Sequence, residues 1–183
     1  MKSFRQQQHL NEARGSRIKY KARPTIKMDD HTWHSPHPDE EHDEVHTQHS
    51  ALKDDPDTPD HVKKQLAHLR DKNKYVHAMR RAGTQTVHHK DPDLHKITNT
   101  DAANKQGISK NPEIEKEKHD RVSKQFQNSK QLGYSMTKPI ILHDKHTGHK
   151  HLLAGNTRLS HGVQDHKARV PVHAITYDSS KQK

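Results

Sequence analysis

The chain has 183 residues, a formal charge of +10 at pH 7 and a hydrophobic fraction of only 26%. Because its mean hydropathy is -1.36, it cannot bury an apolar core in proportion to its length. The absence of cysteine excludes disulfides, thiolate metal sites and thiol nucleophiles. The excess of positive charge favours a polyanionic partner such as DNA, RNA or a nucleotide.

The sequence shows neither a membrane span nor a secretory signal. No apolar run approaches the ~20 residues of a membrane-spanning helix. The opening residues, MKSFRQQQHLNEARGSR, lack the apolar centre of a signal peptide. We therefore expect a protein that does not contact a membrane and that works in the cytoplasm of a bacterial-type cell.

Residues 1–58 are predicted to form a poorly structured arm. The first 30 residues are basic, with one exposed strand expected over residues 18–27, and they could serve as a nucleic-acid-binding arm. Residues 31–60 are rich in His, Asp, Glu and Pro, which indicates an acidic, flexible linker, with Trp33 packed onto the domain. His42 and His46 have the spacing of zinc or nickel ligands on a helix. Because histidine recurs throughout the chain, we favour the linker over a metal site.

Residues 59–83 predict one long amphipathic helix. Thr58 is the expected cap, Pro59 suits the first turn and Gly83 is the expected stop. The predicted buried stripe contains Val62, Leu66, Leu69, Val76 and Met79. The opposite face is basic and contains Lys63, Lys64, Arg70, Lys72, Lys74, Arg80 and Arg81. Such a helix could lie along DNA, but a solvated face is the favoured interpretation.

The next 50 residues predict a loop and then a second helix. Residues 84–110 contain few apolar groups and read as a loop that is attached to the domain by Val87, Leu94 and Ile97. Residues 111–132 predict a helix with Asn111 as its cap and Gly133 as its end. The sparse apolar stripe of this helix contains Ile114, Val122, Phe126 and Leu132.

The most regular pattern lies in residues 138–178. The run 140–142 and residues 151–154 predict two strands, joined by a hairpin turn over residues 145–148. Gly155 ends the second strand. A short helix that carries Leu159 and Val163 follows, and residues 170–177 predict a third strand.

This order resembles the nucleotide-binding domain of the ParB/sulfiredoxin-like superfamily, including its small phage and plasmid members. The carrying segments are Pro139-Ile140-Ile141, residues 152–159 with their Gly-x-x-Arg motif, and Val170-Pro171-Val172. The resemblance implies an α+β fold with a small mixed sheet and helices over residues 84–178. It places the core at 112–178 and a tail at 179–183, and it implies a phage- or plasmid-encoded protein. In that family the first amides of the helix hold phosphate, so the implied partners are DNA and a nucleotide, CTP or ATP with Mg²⁺.

The candidate phosphate-binding residues are Gly155, Asn156, Thr157 and Arg158. A helix N-terminus presents unpaired N–H groups and a partial positive charge. Gly155 permits close approach of the backbone, and Arg158 can fork onto phosphate oxygens. The alternative is that Gly155 only turns the chain, Asn156 caps the helix and Arg158 is a solvated surface charge.

Two hypotheses of function follow from these features. The first is a domain that binds a nucleotide or a nucleic-acid phosphate, with nuclease or NTPase activity left open. The second is a non-enzymatic nucleic-acid-binding or virion-associated protein on the same scaffold. Sulfiredoxin chemistry is excluded, because its reactive cysteine belongs to the Gly-x-x-Arg motif and the chain has none. Hydrolysis would need a carboxylate and a base, for which the candidates are Asp144, Asp165, His149, His151 and His161, but no catalytic residue is assigned.

Overall fold

The computed structural model describes residues 23–92, 94, 97–99 and 112–182. In chain order its elements are β1 (Thr25–Met28), β2 (His31–His34), α1 (His42–Leu52), α2 (Asp60–Leu69), α3 (Lys72–Arg81), β3 (Gly83–Val87), β4 (Ile97–Asn99), α4 (Pro112–Leu132), β5 (Ser135–Thr137), β6 (Ile140–Asp144), β7 (Lys150–Ala154), α5 (Asn156–Ser160) and β8 (Val170–Tyr177), with a π-helical turn at His161–Asp165 and a 3₁₀ turn at Ser179–Lys181. The expected α+β class is confirmed, although the structure has two small mixed sheets where one was predicted.

A five-stranded mixed sheet forms the centre of the fold, with the strand order β3-β8-β6-β7-β4. The pairs β6/β8 and β4/β7 are parallel, whereas β3/β8 and β6/β7 are antiparallel. A second sheet contains three strands in the order β1-β2-β5. β1 and β2 are antiparallel, and β2 runs parallel to β5.

Both faces of the central sheet are buried. Ile141 of β6 faces a cluster that includes Trp33 and Phe126, while Ile140 and Leu142 face a second cluster formed with α1, α2 and α3. A strand covered on both sides needs apolar residues at consecutive positions rather than at alternate ones. This explains why the short Ile-Ile-Leu run is so informative in a chain that is otherwise polar.

The prediction of a flexible linker over residues 31–60 is wrong, because β2 and α1 lie in this interval and are anchored by buried side chains. Trp33 has no exposed surface, and its ring meets that of Phe126 at a centroid distance of 5.8 Å. Val45 and Leu52 of α1 pack into the cluster on the other face of the sheet. The expectation that Trp33 packs onto the domain is confirmed. Of the basic segment, residues 1–22 lie outside the described residues.

The helix predicted over residues 59–83 is two helices, α2 and α3, separated at Arg70 and Asp71. Asp71 starts the second helix, because its carboxylate accepts a hydrogen bond from the backbone N–H of Lys74 at 3.0 Å. Pro59, and not Thr58, occupies the N-cap position of α2, and the Thr58 hydroxyl donates to Asp55. The break also shifts the buried stripe, so that Tyr75 is fully buried while Val76 is only half-buried.

The helix predicted over residues 111–132 is present as α4, although its expected cap, Asn111, lies outside the described residues. Val122 and Phe126 are buried as expected. Leu132 is not part of the buried stripe, since 60% of its surface is exposed. Gly133 ends the helix at a φ of 70°, and its N–H donates to the carbonyl of Ser129.

The interval 84–110, expected to be a loop, contributes two strands to the sheet. β3 pairs with β8 and β4 pairs with β7, so both edges of the central sheet come from this interval. Val87 is buried, and Leu94 and Ile97 pack against the same cluster, as predicted. An edge strand forms hydrogen bonds to a neighbouring strand on one side only, and few of its side chains are covered. Its sequence can therefore be as polar as that of a loop, so the sequence pattern does not predict the strand.

None of the helices within the described ranges combines the length and the apolar character that a membrane span requires.

Candidate phosphate-binding site

The turn from β7 into α5 forms around Gly155. This residue lies at a φ of 86°, occupies the N-cap position of α5, and its carbonyl accepts the first helical hydrogen bond, from Leu159 N–H at 2.9 Å. A β-carbon at this position would lie 2.9 Å from the Cα of Pro139, closer than real contacts allow. Two separate features therefore require glycine at this position: the left-handed backbone conformation and the close contact with Pro139, the residue before β6.

The start of α5 presents backbone donors. Within the described residues no side chain caps this helix. The first amides of any helix have no intrahelical carbonyl to bond, so those of Asn156, Thr157 and Arg158 can bind an external acceptor. Asn156 is the first helical residue and not the cap, since the cap position belongs to Gly155.

Asn156 lies beside a cavity of about 250 Å³. The cavity is lined by Leu94, Ile97, Leu152, Asn156, Leu159, Ser160, Val163 and Gln164. The Asn156 side-chain oxygen accepts a hydrogen bond from the Ser160 hydroxyl at 3.3 Å, one helical turn later. This cavity is half apolar, and none of its lining residues is charged.

Arg158 is half-buried rather than a solvated surface charge. Its Nη1 donates a hydrogen bond to the backbone carbonyl of Thr137 at 2.5 Å. Burial lowers the pKa of Arg158, while the carboxylates of Glu40 and Glu41 act in the opposite direction. Asn156 and Arg158 are two positions apart on α5, which corresponds to about 200° of rotation around the helix axis. The two side chains therefore lie on different sides of α5. Of the four motif residues, only Asn156 lines the cavity described above.

A residue that sequence reasoning missed, Lys138, lies next to this turn. Only 3% of its surface is exposed, and its ammonium group donates to the hydroxyls of Ser35 at 3.2 Å and Thr84 at 2.8 Å. Burial lowers the pKa of Lys138. Its position directly before Pro139 and β6 is the only signal in the sequence, and Lys-Pro before a strand does not by itself indicate a buried cation.

His34 lies close enough to both Arg158 and Lys138 for their charges to act on it. Its Nδ1 bonds the Ser135 hydroxyl at 2.8 Å and its Nε2 bonds the Thr137 hydroxyl at 3.0 Å. The pKa of His34 is lowered first by burial and then by Arg23, with further lowering by Arg158 and Lys138 and an opposing effect of Glu40. Positive charge is therefore concentrated where the second sheet meets Pro139.

The acid and base candidates at the hairpin lie away from this turn. Asp144 ends β6 at the end opposite Ile140, which pairs with Ala154. Four residues of strand separate the two ends by roughly 13 Å, at about 3.3 Å per residue. Asp144 is fully buried and accepts hydrogen bonds from Thr147 and Ser179, which places it in a structural role at the hairpin.

The candidate histidines are likewise not gathered at the turn. His149 meets the ring of His61 on α2, and His151 lies 3.3 Å from the Gln48 side chain on α1, so both face the same side of the sheet, as strand alternation predicts. His161 follows α5 and pairs with Asp165 at 2.6 Å. Within the described residues the structure therefore assembles no carboxylate and base from these candidates beside Arg158.

The histidine pair on α1 has the predicted proximity. The rings of His42 and His46 lie 4.9 Å apart on one face of the helix. The Nε2 atom of His42 lies 3.2 Å from the carbonyl oxygen of Leu69 and 3.1 Å from that of Arg70. No group of three or more histidine or carboxylate side chains within the described ranges is arranged to hold a metal ion.

Comparison with known proteins identifies no relative: no family model matches the chain, and neither the curated proteins nor the solved structures gave a match.

Proposed function

We propose that this chain is a ParB/sulfiredoxin-like domain that binds the phosphate groups of a nucleotide at the turn between β7 and α5. The order β7, Gly-x-x-Arg turn, α5 and β8, with β8 parallel to β6, supports this proposal. The uncapped amides of the first helical turn and the adjacent Arg158 supply neutral and charged donors for an anion.

One observation carries the proposal. Beside the turn, Arg158 and Lys138 are cations with little exposure, and the hydrogen bonds described for their side chains go to neutral oxygens of Thr137, Ser35 and Thr84. A cation taken out of water without a directly bonded anion is costly, and a phosphate at this place would offset that cost. Glu40 already pairs with Arg23 at 2.9 Å, so it is not free to neutralise both cations.

A magnesium ion would fit this site only as a companion of the nucleotide. Mg²⁺ is commonly held by one or two carboxylates together with substrate phosphates. Glu40 and Glu41 lie close enough to Arg158 to affect its pKa, and both line a hollow of about 420 Å³. Glu41 would hold the ion, since Glu40 is engaged by Arg23. The ion would supply charge neutralisation of the phosphates, while the protein residues orient them.

The proposal stops at binding. Besides a metal-holding carboxylate, a nuclease or NTPase would need a base beside the phosphate. The residues that the sequence offers for catalysis have other partners: Asp144 stabilises the hairpin, and His161 pairs with Asp165.

The test is calorimetric titration of the full chain with CTP and with ATP, each in the presence of Mg²⁺. Wild-type protein should bind one of the two, and Arg158→Gln should weaken that binding at least tenfold. Arg169→Gln is the matched control, because Arg169 is exposed and pairs with Asp29 far along the chain. Absence of binding to either nucleotide, or equal weakening by both substitutions, would refute the proposal.

A further inference from the structure

A second cationic feature lies on the face of the central sheet that is covered by α2 and α3. It is a cleft of about 730 Å³ between these helices and the end of β8. The cleft is lined by residues of α2, of α3, of the hairpin turn after β6 and of the last part of β8. It is nearly three times as large as the cavity beside Asn156.

The charged residues of this cleft have one sign. Lys74 and Arg81 come from α3 and Lys145 from the hairpin turn, and all three are exposed. His68 and His77 add two exposed imidazoles, and none of the described residues that line the cleft is an aspartate or a glutamate. A concave surface with one sign of charge concentrates the electrostatic potential and attracts counter-charged ligands.

The positive charge is offset only in part: the hydrogen bond from the Lys74 N–H, and after it the charges of Lys74 and His68, lower the pKa of Asp71. Across the part of the chain that the structure describes, Lys74, Arg81 and Lys145 form no salt bridge. The carboxylates nearest in sequence are already engaged. Asp71 caps α3, and Asp144 is buried beneath hydrogen bonds from Thr147 and Ser179.

The geometry suits an extended anion rather than a compact one. Lys74, Ala78 and Arg81 lie on successive turns of one face of α3, and seven residues at 1.5 Å each give roughly 10 Å between the outer two. The charges of a nucleic-acid strand repeat along its backbone, so a row of this length can contact more than one phosphate. Lys145 and Thr176 line the cleft from the hairpin turn and from β8.

We propose that this cleft binds the sugar–phosphate backbone of one strand of a nucleic acid, through Lys74, Arg81 and Lys145. The cleft is a separate site from the turn at Gly155. It lies at the Tyr177 end of β8, next to Lys145, whereas Gly155 lies at the end of β7 that pairs with the start of β6. The contacts are to phosphates, so the binding is insensitive to base sequence and depends strongly on salt.

The test measures binding of a fluorescent 20-nucleotide strand, alone and as a duplex, to the full chain between 50 and 300 mM KCl. The cleft variant carries Lys74→Gln, Arg81→Gln and Lys145→Gln. Its affinity should fall at least tenfold at 100 mM KCl for the single strand, the duplex or both. The slope of log Kd against log salt should decrease by about 2 to 3 units, because each phosphate contact contributes roughly 0.7 to 0.9.

The control variant has the same change in charge on the other face of the sheet. Lys116→Gln, Arg121→Gln and Lys124→Gln remove three exposed cations from α4, which packs against the cluster of Trp33 and Phe126. This variant should keep affinity within about threefold of wild type. Equal losses in the two variants, or none in the cleft variant, would overturn the proposal. So would a polyglutamate peptide that binds the cleft more tightly than the oligonucleotide does.

The two sites can be separated in the same assays. Arg158→Gln should leave oligonucleotide binding within about threefold of wild type, and the cleft variant should leave nucleotide titrations unchanged. All three cleft positions are exposed, so both triple variants should keep the far-UV circular dichroism spectrum of the wild type. Failure of one proposal therefore leaves the other measurable.

Discussion

Gly155 packs directly against Pro139, so that a β-carbon on Gly155 would lie 2.9 Å from the Pro139 Cα and 3.0 Å from its Cβ. This contact joins the start of α5 to the residue that precedes β6. The candidate phosphate site and the entry into the central sheet therefore share one close contact, and the geometry of the turn depends on it.

We predict that Gly155→Ala lowers the free energy of unfolding by about 2 to 4 kcal/mol. An alanine at a φ of 86° carries a backbone cost of about 1 to 2 kcal/mol, and the contact with Pro139 adds overpacking strain. Gly148→Ala is the control, since its φ is 73° but a β-carbon there meets nothing within 4 Å. Urea unfolding should show a cost of only about 1 to 2 kcal/mol for the control. If the two substitutions lower the free energy of unfolding equally, the close contact between Gly155 and Pro139 is contradicted.

The orientation of α4 gives a second prediction. Phe126 is fully buried against Trp33 and stacks on His166 at a centroid distance of 4.6 Å, so Phe126→Ala should cost about 3 to 5 kcal/mol. Leu132 lies on the same helix but is 60% exposed, so Leu132→Ala should stay within about 0.5 kcal/mol of wild type. Chemical denaturation of the two variants measures both values. A large loss at Leu132 would indicate a different helix orientation.

The part of the fold that the sequence predicts best is the segment with dense apolar runs. The strands at Ile140–Asp144, Lys150–Ala154 and Val170–Tyr177 and the helix that follows Gly155 were all expected in that order. Each of these strands is central or buried on both faces, so its composition differs sharply from the polar remainder of the chain. Local composition is sufficient there.

The elements that escaped prediction are stabilised by partners far along the chain. β2 pairs with β5, about 100 residues later, and only Trp33 in β2 shows that the strand is buried. The site has the same limitation. The proximity of Arg158 to the Thr137 carbonyl and the burial of Lys138 depend on tertiary contacts that no local pattern encodes. The motif could be recognised, but the directions of its side chains could not.

A third prediction concerns acid pH. Eight described histidines have a lowered pKa, with burial as the main cause: His31, His34, His49, His89, His143, His149, His166 and His173. Below the unfolded value of about 6.5, the unfolded chain then binds more protons than the folded chain does. The free energy of unfolding should therefore fall as pH decreases from 7.5 to 5.5. Urea titrations across this range test it, and a flat profile would contradict it.

A single substitution localises part of this effect. His31 is 5% exposed, and its ring lies edge-on to that of Phe126 at a centroid distance of 5.0 Å. Burial is the main cause of its lowered pKa; His166 lowers the pKa further, whereas Asp30 and Asp29 raise it. His31→Phe removes the ionisable group while keeping an aromatic ring at the contact. The variant should lose less stability between pH 7.5 and 5.5 than wild type does. An unchanged decline would show that His31 does not contribute.

Asp144 gives a fourth prediction. Burial alone would raise its pKa, but hydrogen bonds from Ser179, Thr147 and His146 outweigh burial and hold the pKa well below its usual range. Asp144→Asn should cost about 2 to 3 kcal/mol at pH 7, since these bonds to a charged group are weakened. A depressed carboxyl pKa stabilises the fold above the unfolded value near 3.9, and this contribution is lost as pH falls. The gap between wild type and variant should therefore narrow below about pH 4 in urea titrations.

The fifth prediction is that replacing Lys138 weakens nucleotide binding without lowering the stability of the fold. Burial lowers the pKa of Lys138, which means that the fold disfavours its charged form. Lys138→Met fills similar volume without a charge, so the free energy of unfolding at pH 7 should stay within about 1 kcal/mol of wild type or rise. Affinity for CTP or ATP with Mg²⁺ should nevertheless fall at least fivefold, because a cation beside the turn is lost. If the variant is much less stable and binds nucleotide as wild type does, Lys138 serves the fold through Ser35 and Thr84 alone.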